Sequence, residues 1–127
     1  QNKKKIKKGL RGSMANIYLN AKKDLTTNTV TTLYTCPANS RSIVKSLLVS
    51  DDSGSGDTIT VTLFDGDPAS ANSFVLFKTK AVSADETLQL LTEPLVMMES
   101  EVLQVTAATA DRLYVVASVL EMNREDR

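Results

Sequence analysis

Turn-forming residues divide the chain into short apolar runs, and this pattern constrains the fold more than any other feature. Between residues 58 and 64, Ile59, Val61 and Leu63 alternate with threonines, which is the period of a strand with one buried face. Clusters rich in Gly, Pro, Asn, Asp and Ser separate the runs, as is typical of turns between strands. The sequence therefore predicts a sheet protein, and no stretch has the pattern of a long amphipathic helix.

Eight runs have the composition of strands. They cover residues 16–19, 29–36, 42–50, 58–64, 73–82, 87–91, 95–106 and 113–122, the seventh being interrupted by the acidic stretch 99–101. Turns recur at the spacing of a sandwich or jelly roll. The predicted fold is all-β, a single β-sandwich, jelly-roll-like domain of about eight antiparallel strands over residues 14–122. We expect a flexible basic N-terminal arm, residues 1–13, and a charged C-terminal tail, residues 123–127.

Length and composition fit one globular domain. The chain has 127 residues, of which 42% are hydrophobic, and it contains neither Trp nor His. The single cysteine, Cys36, cannot form an intramolecular disulfide and is expected to be a small buried apolar residue. No apolar run is long enough to span a bilayer and no signal-peptide pattern is present. We therefore expect maturation in a reducing cytoplasm without membrane contact.

Charge is divided unevenly between the first 13 residues and the rest. The formal net charge is zero, but residues 1–13 hold six bases and no acid, which leaves nine bases against fifteen acids in the remainder. The six bases are Lys3, Lys4, Lys5, Lys7, Lys8 and Arg11. Three interpretations remain open: a solvated tail, an arm that docks on an acidic partner, or contact with nucleic-acid phosphates. Nucleic-acid contact is the least favoured, because no aromatic residue is interleaved with the cations.

The origin of residues 1–13 is open as well. Met14 followed by Ala15 has the form of a natural start, and Gly12-Ser13 ahead of it is typical of a cloning junction. The arm is therefore part of the working protein, an upstream extension or mis-assigned start, or a cloning remnant. Only in the first case does it contribute a binding surface.

No pattern in the chain predicts an active site. Without His there is no usual general base, and neither a Gly-rich phosphate loop nor a nucleophile elbow occurs. The segment from Asp51 to Asp57 has some of the spacing of a calcium loop but lacks the distal bidentate Glu, so we interpret it as a turn. We expect no catalytic residue, no metal site and no cofactor.

Two stretches are apolar on both faces of a predicted strand. Tyr114, Val116 and Leu120 alternate with a second apolar set that would already supply the core, and Phe74 and Leu76 lie in a run of four apolar residues. Either a second layer of the same domain covers them or they form a subunit interface, since contiguous apolar surface usually marks association. These five residues are the candidates for self-association.

Four motifs occur in order along the chain. Residues 31–38 read TTLYTCPA, residues 58–63 read TITVTL, residues 91–96 read LTEPLV and residues 103–107 read LQVTA. The series resembles T-x-L-Y-T-x-P-A, T-x-T-V-x-L, L-x-x-P-L-V and L-x-V-x-A in small β-sandwich virion proteins of tailed, often marine, bacteriophages. The resemblance covers about residues 14–122 and excludes the basic arm.

This resemblance implies a structural role in a virion assembled in the cytoplasm of a bacterial host. The first expectation is a capsid decoration, or cement, protein that stabilises the particle. Its partners would be other virion proteins, above all the major capsid protein, and further copies of itself, by analogy three. The alternatives are a neck, tail or fibre adaptor and a carbohydrate-binding adhesion module. A carbohydrate-binding module usually needs an exposed aromatic platform, whereas the three tyrosines of this chain lie within predicted strands.

Overall fold

The computed structural model of the protein describes residues 14–124, with side chains from residue 16 to residue 123. No helix is found in this part of the chain, and nine strands form instead. They are β1 (Met14–Asp24), β2 (Thr31–Thr35), β3 (Ser40–Asp51), β4 (Asp57–Phe64), β5 (Ser73–Val82), β6 (Thr87–Gln89), β7 (Leu95–Met97), β8 (Val102–Ala107) and β9 (Leu113–Arg124). The all-β prediction is confirmed.

The strands form two antiparallel sheets with crossing connections. Sheet A has the order β1-β9-β3, and β6 and β7 both pair with β3 at its outer edge; sheet B has the order β2-β8-β4-β5. Because β6 and β7 occupy two halves of one edge, each sheet has four strand positions. Eight positions with chain crossings between two sheets define a jelly roll, as the turn spacing predicted.

The interruption between β6 and β7 has a local cause. Pro94 lacks the N–H that a strand ladder needs, so the edge strand ends before it and resumes at Leu95. Within the gap, the Gln89 side-chain carbonyl accepts hydrogen bonds from the backbone N–H of Leu47 at 2.8 Å and of Leu91 at 3.2 Å. A side chain thereby replaces part of the missing ladder.

One predicted strand is wrong in its extent. The run 95–106 was expected as a single interrupted strand, but β7 lies in sheet A and β8 in sheet B. The turn between them is fixed by Glu101, whose carboxylate accepts a hydrogen bond of 2.9 Å from the N–H of Met98. The acidic stretch is therefore a connection between sheets. At the other end of the chain, β9 continues through Arg124, two residues into the segment expected as a tail.

The core lies between the inner faces of the two sheets. Ile59 and Val61, predicted to face inward, are fully buried, and the threonines that alternate with them in β4 are half-buried. From sheet A, Val115, Ala117 and Val119 of β9 face them. Full burial of one Val or Leu side chain contributes about 1.5–3 kcal/mol, so this aliphatic layer dominates the stability of the domain.

The register places both ends of the described chain at one end of the sandwich. Met14 pairs with Arg124, and this end is called the terminal pole. At the opposite end, β1 and β3 finish and β4 and β9 begin. This second end is called the acidic pole after the residues that its loops and strand ends carry, Asp24, Asp51, Asp52, Asp57, Asp85, Glu86 and Asp111.

Candidate association surfaces

Four strands each place one apolar side chain in a row across the outer face of sheet A. Tyr18 on β1 pairs with Leu120 on β9, Leu120 pairs with Ile43 on β3, and Ile43 pairs with Val96 on β7. Directly paired residues of a sheet point to the same face, so the four side chains are neighbours. We call this set the outer row.

The outer row is exposed at both ends. Tyr18 is 73% exposed and Val96 55%, while Leu120 and Ile43 between them are half-buried. Val116 and Leu48 form a second, half-buried pair on the same face. Contiguous apolar side chains on a solvent-exposed surface usually mark a contact with another molecule.

A shallow depression adjoins the outer row. It has a volume of about 340 Å³ and is lined by Tyr18, Leu19, Asn20, Lys45, Ser118 and Val119. Lys45 occupies a register shift in β3, between Val44 and Ser46, and a bulge of this kind re-aims the side chain of the extra residue. The depression therefore presents an aromatic ring, an amide, a hydroxyl and an ammonium together.

A second apolar surface lies at the edge of sheet B. Phe74 is 51% exposed, Val75 53% and Leu76 37%, and all three belong to the outermost strand, β5. Phe77 of the same strand packs against the core instead. Register shifts interrupt the pairing of β5 with β4, which separates this apolar half of the strand from its lysine-bearing half.

The five predicted self-association residues therefore belong to two separate surfaces. Tyr114, Val116 and Leu120 lie on the outer face of sheet A, and Phe74 and Leu76 at the edge of sheet B. A second layer of the same domain was one explanation for their apolar character. Within the described residues, however, Tyr114 remains 41% exposed and Phe74 51%. No second layer within these residues covers Tyr114 or Phe74, and their part in self-association stays a prediction.

Sequence reasoning missed Tyr18 and Val96, the two most exposed members of the outer row. The signal for Tyr18 was present, because Ile17-Tyr18-Leu19 is apolar on both faces of a strand, as the last strand is. Val96 had no such signal, since the strand that carries it, β7, is only three residues long and shows no alternation. The predicted contact residues Lys3 to Arg11 of the basic arm lie outside the described residues.

A buried polar cluster joins the two sheets near the terminal pole. Tyr34 of β2 donates a hydrogen bond to the carboxylate of Glu121 on β9, and its oxygen lies 2.7 Å from Oγ of Ser42 on β3. Burial, and then the bond to Glu121, raise the pKa of the Tyr34 hydroxyl well above its ordinary value. The phenol therefore stays neutral, and its hydrogen bond to Glu121 links sheet B to sheet A.

Cys36 belongs to the same cluster, and its predicted burial is confirmed. It is fully buried, and Sγ lies 3.3 Å from Oγ of Ser42 and 3.6 Å from the carbonyl oxygen of Met97. Burial raises the pKa of its thiol, which disfavours the nucleophilic thiolate. The residue is placed for packing and not for thiol chemistry.

The segment resembling a calcium loop is organised by one carboxylate. Asp51 accepts hydrogen bonds from the N–H and Oγ of Ser53, at 3.0 and 2.6 Å, from the N–H of Gly56 at 2.9 Å and from that of Asp85 at 3.0 Å. Donors surround both carboxylate oxygens, and they hold the pKa of Asp51 well below its usual range, the Ser53 hydroxyl contributing most. Such a carboxylate anchors two loops, because its donors come from residues 53–56 and from Asp85.

The described residues were also searched for metal-binding groups and for membrane-spanning helices. Among residues 14–124, no group of three or more His, Cys, Asp or Glu side chains has an arrangement that would hold a metal ion. No helix that could cross a membrane was found in the same residues.

Comparison with known proteins returned likenesses of structure only. No family model matches the sequence, and no curated protein matches it. An infectious bursal disease virus structure (Gx strain) superposes with a TM-score of 0.56 at 14% identity, over 87% of this chain and 32% of that one. The VP2 subviral particle of the same virus gives 0.53 at 13% identity, over 88% and 33%.

A third likeness is not viral. A Bacillus endospore appendage protein, from a family of disulfide-linked pili, superposes with a TM-score of 0.52 at 11% identity, over 89% of this chain and 92% of that one. The chain thus spans about a third of the viral chains but nearly the whole of the pilus protein. At these identities the likenesses define the fold class alone, a jelly-roll sandwich.

Proposed function

We propose that this protein is a virion structural protein, and more specifically a decoration protein of a bacteriophage capsid. The outer row carries the proposal, because this small domain places an apolar band across four strands, exposed at both ends. Exposed apolar surface is costly unless another molecule covers it. A part that exists to be attached to neighbours needs such a surface and little else.

The fold is compatible with this role. The capsid structures that superpose on the chain contain the same sandwich as about a third of their length. Fold alone does not establish function, since jelly rolls serve many purposes. The ordered series of sequence motifs resembling phage virion proteins is an independent argument for the phage particle and not another virus.

We assign the contacts of such a part to its two apolar surfaces. The face of sheet A that carries Tyr114, Val116 and Leu120 would lie against a neighbouring subunit or the shell, which the major capsid protein forms. The edge residues Phe74 and Leu76 would contact a further copy, giving a homo-oligomer, by analogy a trimer. Weak contacts suffice here, because many linked copies bind one particle together.

The test is the position and copy number of the protein in purified virions of the phage that encodes it. A decoration protein should approach the number of major capsid subunits by gel densitometry and should lie on the shell by immunogold labelling. A virion that lacks this protein altogether would refute a structural role.

The pilus likeness favours a second candidate, a neck, tail or fibre component. It covers nearly all of both chains, so this sandwich without additional domains is sufficient as a repeating unit of a fibre. A disulfide-linked arrangement is not open to the present chain, because its single cysteine is fully buried. A copy number far below that of the capsid subunits, with label at the neck or tail, would select this candidate.

One observation favours the third candidate function, a carbohydrate-binding module. Tyr18 is an exposed aromatic ring beside Asn20, Lys45 and Ser118 in the depression on sheet A. A ring that stacks on a sugar with flanking hydrogen-bond donors is the usual platform of such sites. Selective binding to a glycan array that Tyr18→Ala abolishes would establish this function, and the absence of any selective signal would remove it.

A further inference from the structure

We propose that two copies of the chain pair through the free edge of β1, in antiparallel orientation, so that sheet A continues from one copy into the next. The inference goes beyond the proposed function, which assigns contact between copies to Phe74 and Leu76 on β5, because it adds a pairing of two copies through a different strand. It does not depend on where in a particle the protein lies. Two features of β1 support the proposal: its outer backbone groups have no strand partner within residues 14–124, and the apolar side chains of its inner face are partly exposed.

The other three sheet edges carry features that obstruct strand pairing. The edge formed by β6 and β7 is interrupted before Pro94, β2 is five residues long with a register shift beside Leu33, and β5 has two register shifts. Lys78 lies within one of those shifts, and Lys80 is the first paired residue after it. Short strands, bulges, proline and lysine are the means by which proteins block pairing at an edge.

Strand β1 lacks these features over most of its length. It has 11 residues, and its pairing with β9 runs without a register shift from Met14 to Asp24. The first eight residues, MANIYLNA, carry no charged side chain. A long, regular and uncharged edge strand is a template for another strand.

The direction of the free backbone groups follows from one hydrogen bond. The N–H of Leu25 donates to the carbonyl oxygen of Leu113 at 3.0 Å, directly after the paired residues Asp24 and Tyr114. Odd-numbered residues therefore bond to β9, and even-numbered residues direct their N–H and C=O groups to the other side. Along that side, β1 has no strand partner within residues 14–124.

The inner face of β1 is incompletely covered. Ile17 points to the core side, as do Leu19 and Ala21 of the same strand, yet it is 44% exposed, and Leu19 is only half-buried. These side chains lie at the margin where the sandwich ends. A partner that covers this margin must supply both hydrogen-bonding backbone groups and apolar side chains. A further strand supplies both, whereas a flat surface does not.

A second copy fits this requirement in antiparallel orientation. When the two β1 strands overlap fully, Leu19 faces Leu19, and Ile17 of one copy faces Ala21 of the other. Lys22 then lies opposite Asn16, and Lys23 opposite Ala15, so no like charges face each other. Parallel pairing would instead place each lysine beside its equivalent, which is unfavourable. The even-numbered residues of both strands exchange the hydrogen bonds.

The test compares two substitutions at one position of the full chain. Asn20→Pro removes an N–H that points to the free edge, and proline is tolerated there because the β9 ladder is intact. We expect the wild type and Asn20→Ala to sediment as dimers or as larger assemblies that contain this pair, and Asn20→Pro to bind itself at least about tenfold more weakly. At a protein concentration low enough for both variants to be monomeric, the proline variant should keep the urea midpoint of the alanine variant. A folded proline variant with wild-type mass, or a wild type that stays monomeric, would overturn the proposal.

Cross-linking gives a second readout that does not depend on the proline variant. Leu19→Cys should form an intermolecular disulfide on oxidation, since the β-carbons of facing residues in such a pair lie about 4.5–5.5 Å apart. Ile17→Cys, which faces Ala21 of the partner, should not. The buried Cys36 is shielded in both variants. Equal cross-linking of the two variants would contradict the register.

One outcome identifies a different occupant of the edge. A full chain that is monomeric, together with a chain lacking residues 1–13 that dimerises, would show that the N-terminal segment covers β1 in the same molecule, and this also overturns the proposal. The particle experiment above is independent of these results. A chain that dimerises through β1 but is absent from virions would refute the proposed function alone.

Discussion

Tyr34 on β2 and Glu121 on β9 are joined by a hydrogen bond that crosses from one sheet to the other. Tyr34 is 8% exposed, so water competes little for this bond. The connection complements the apolar core, which holds the sheets together without fixing their relative position. Buried polar bonds of this type add to the specificity of packing when every member has a partner.

Tyr34→Phe should lower the free energy of unfolding by about 1–3 kcal/mol, because Glu121 and Ser42 lose a partner in a partly enclosed site. Urea denaturation measures this directly. Tyr114→Phe is the matched control, since the Tyr114 hydroxyl bonds to Asp52 at an exposed position, at 3.2 Å. Equal losses in the two variants would contradict a special role for the cross-sheet bond.

The domain should lose stability at alkaline pH in part through Tyr34. Burial and the bond to Glu121 raise the pKa of this phenol in the folded state, so the unfolded chain releases the proton first, above about pH 10. Its stabilising contribution is complete below that pH and declines as the pH rises further. Urea midpoints from neutral to strongly alkaline pH should fall less steeply for Tyr34→Phe than for the wild type. Identical slopes would rule out this origin.

The opposite dependence is expected for Asp51 at acidic pH. Hydrogen bonds from the Ser53 side chain and from the N–H groups of Ser53, Gly56 and Asp85 depress its folded-state pKa. Its contribution is therefore present above about pH 4 and is lost as the pH falls. Asp51→Ala should unfold at higher pH than the wild type in an acid titration followed by circular dichroism. Asp111→Asn, an exposed change at the same pole, should leave the transition in place.

Leu120→Asp should preserve the fold and abolish association through the outer face of sheet A. Leu120 is half-buried on that face, so its replacement leaves the core unchanged. The adjacent Val119 faces the core and is 2% exposed, so Val119→Asp buries an unpaired charge and should unfold the domain. Circular dichroism and sedimentation velocity together separate the two effects. An unfolded Leu120→Asp chain would mean that this face is part of the core.

Deletion of residues 1–13 tests the docking of the basic arm. If the six cations bind an acidic partner, the truncated chain should bind particles more weakly, and its binding should depend less on salt. Pull-down of the two forms with particles stripped of the protein, over a series of salt concentrations, measures both quantities. Unchanged affinity and salt dependence would remove the arm from the binding surface.

The local sequence pattern was sufficient to predict most strands, because strand formation depends largely on the residues of the segment itself. The alternation at Ile59, Val61 and Leu63 and the turn residues that flank it define β4 without knowledge of any other strand. The choice of partner is not local. Nothing in the residues around Glu99 to Glu101 shows that β7 and β8 belong to different sheets, since that depends on β3 and β4 far away in the chain.

The candidate surfaces were predictable only in part for the same reason. Leu120 and Val116 could be found from a strand that is apolar on both faces. The exposure of Tyr18 depends on β1 being at the edge of sheet A, and that of Val96 on β7 being a short edge segment. Sequence gives the character of a face, whereas only the assembled sheet determines whether a neighbouring strand covers it.

The pairing of Met14 with Arg124 has a practical consequence for anyone wishing to use this domain as a carrier. Cargo fused to either end of residues 14–124 would emerge from the same pole, leaving the loops at the opposite pole unobstructed. A short linker between the two ends would also close the polypeptide into a ring without disturbing any strand. New ends could then be opened in the exposed connection between β4 and β5, so the order of the strands along the chain is separable from their arrangement in space.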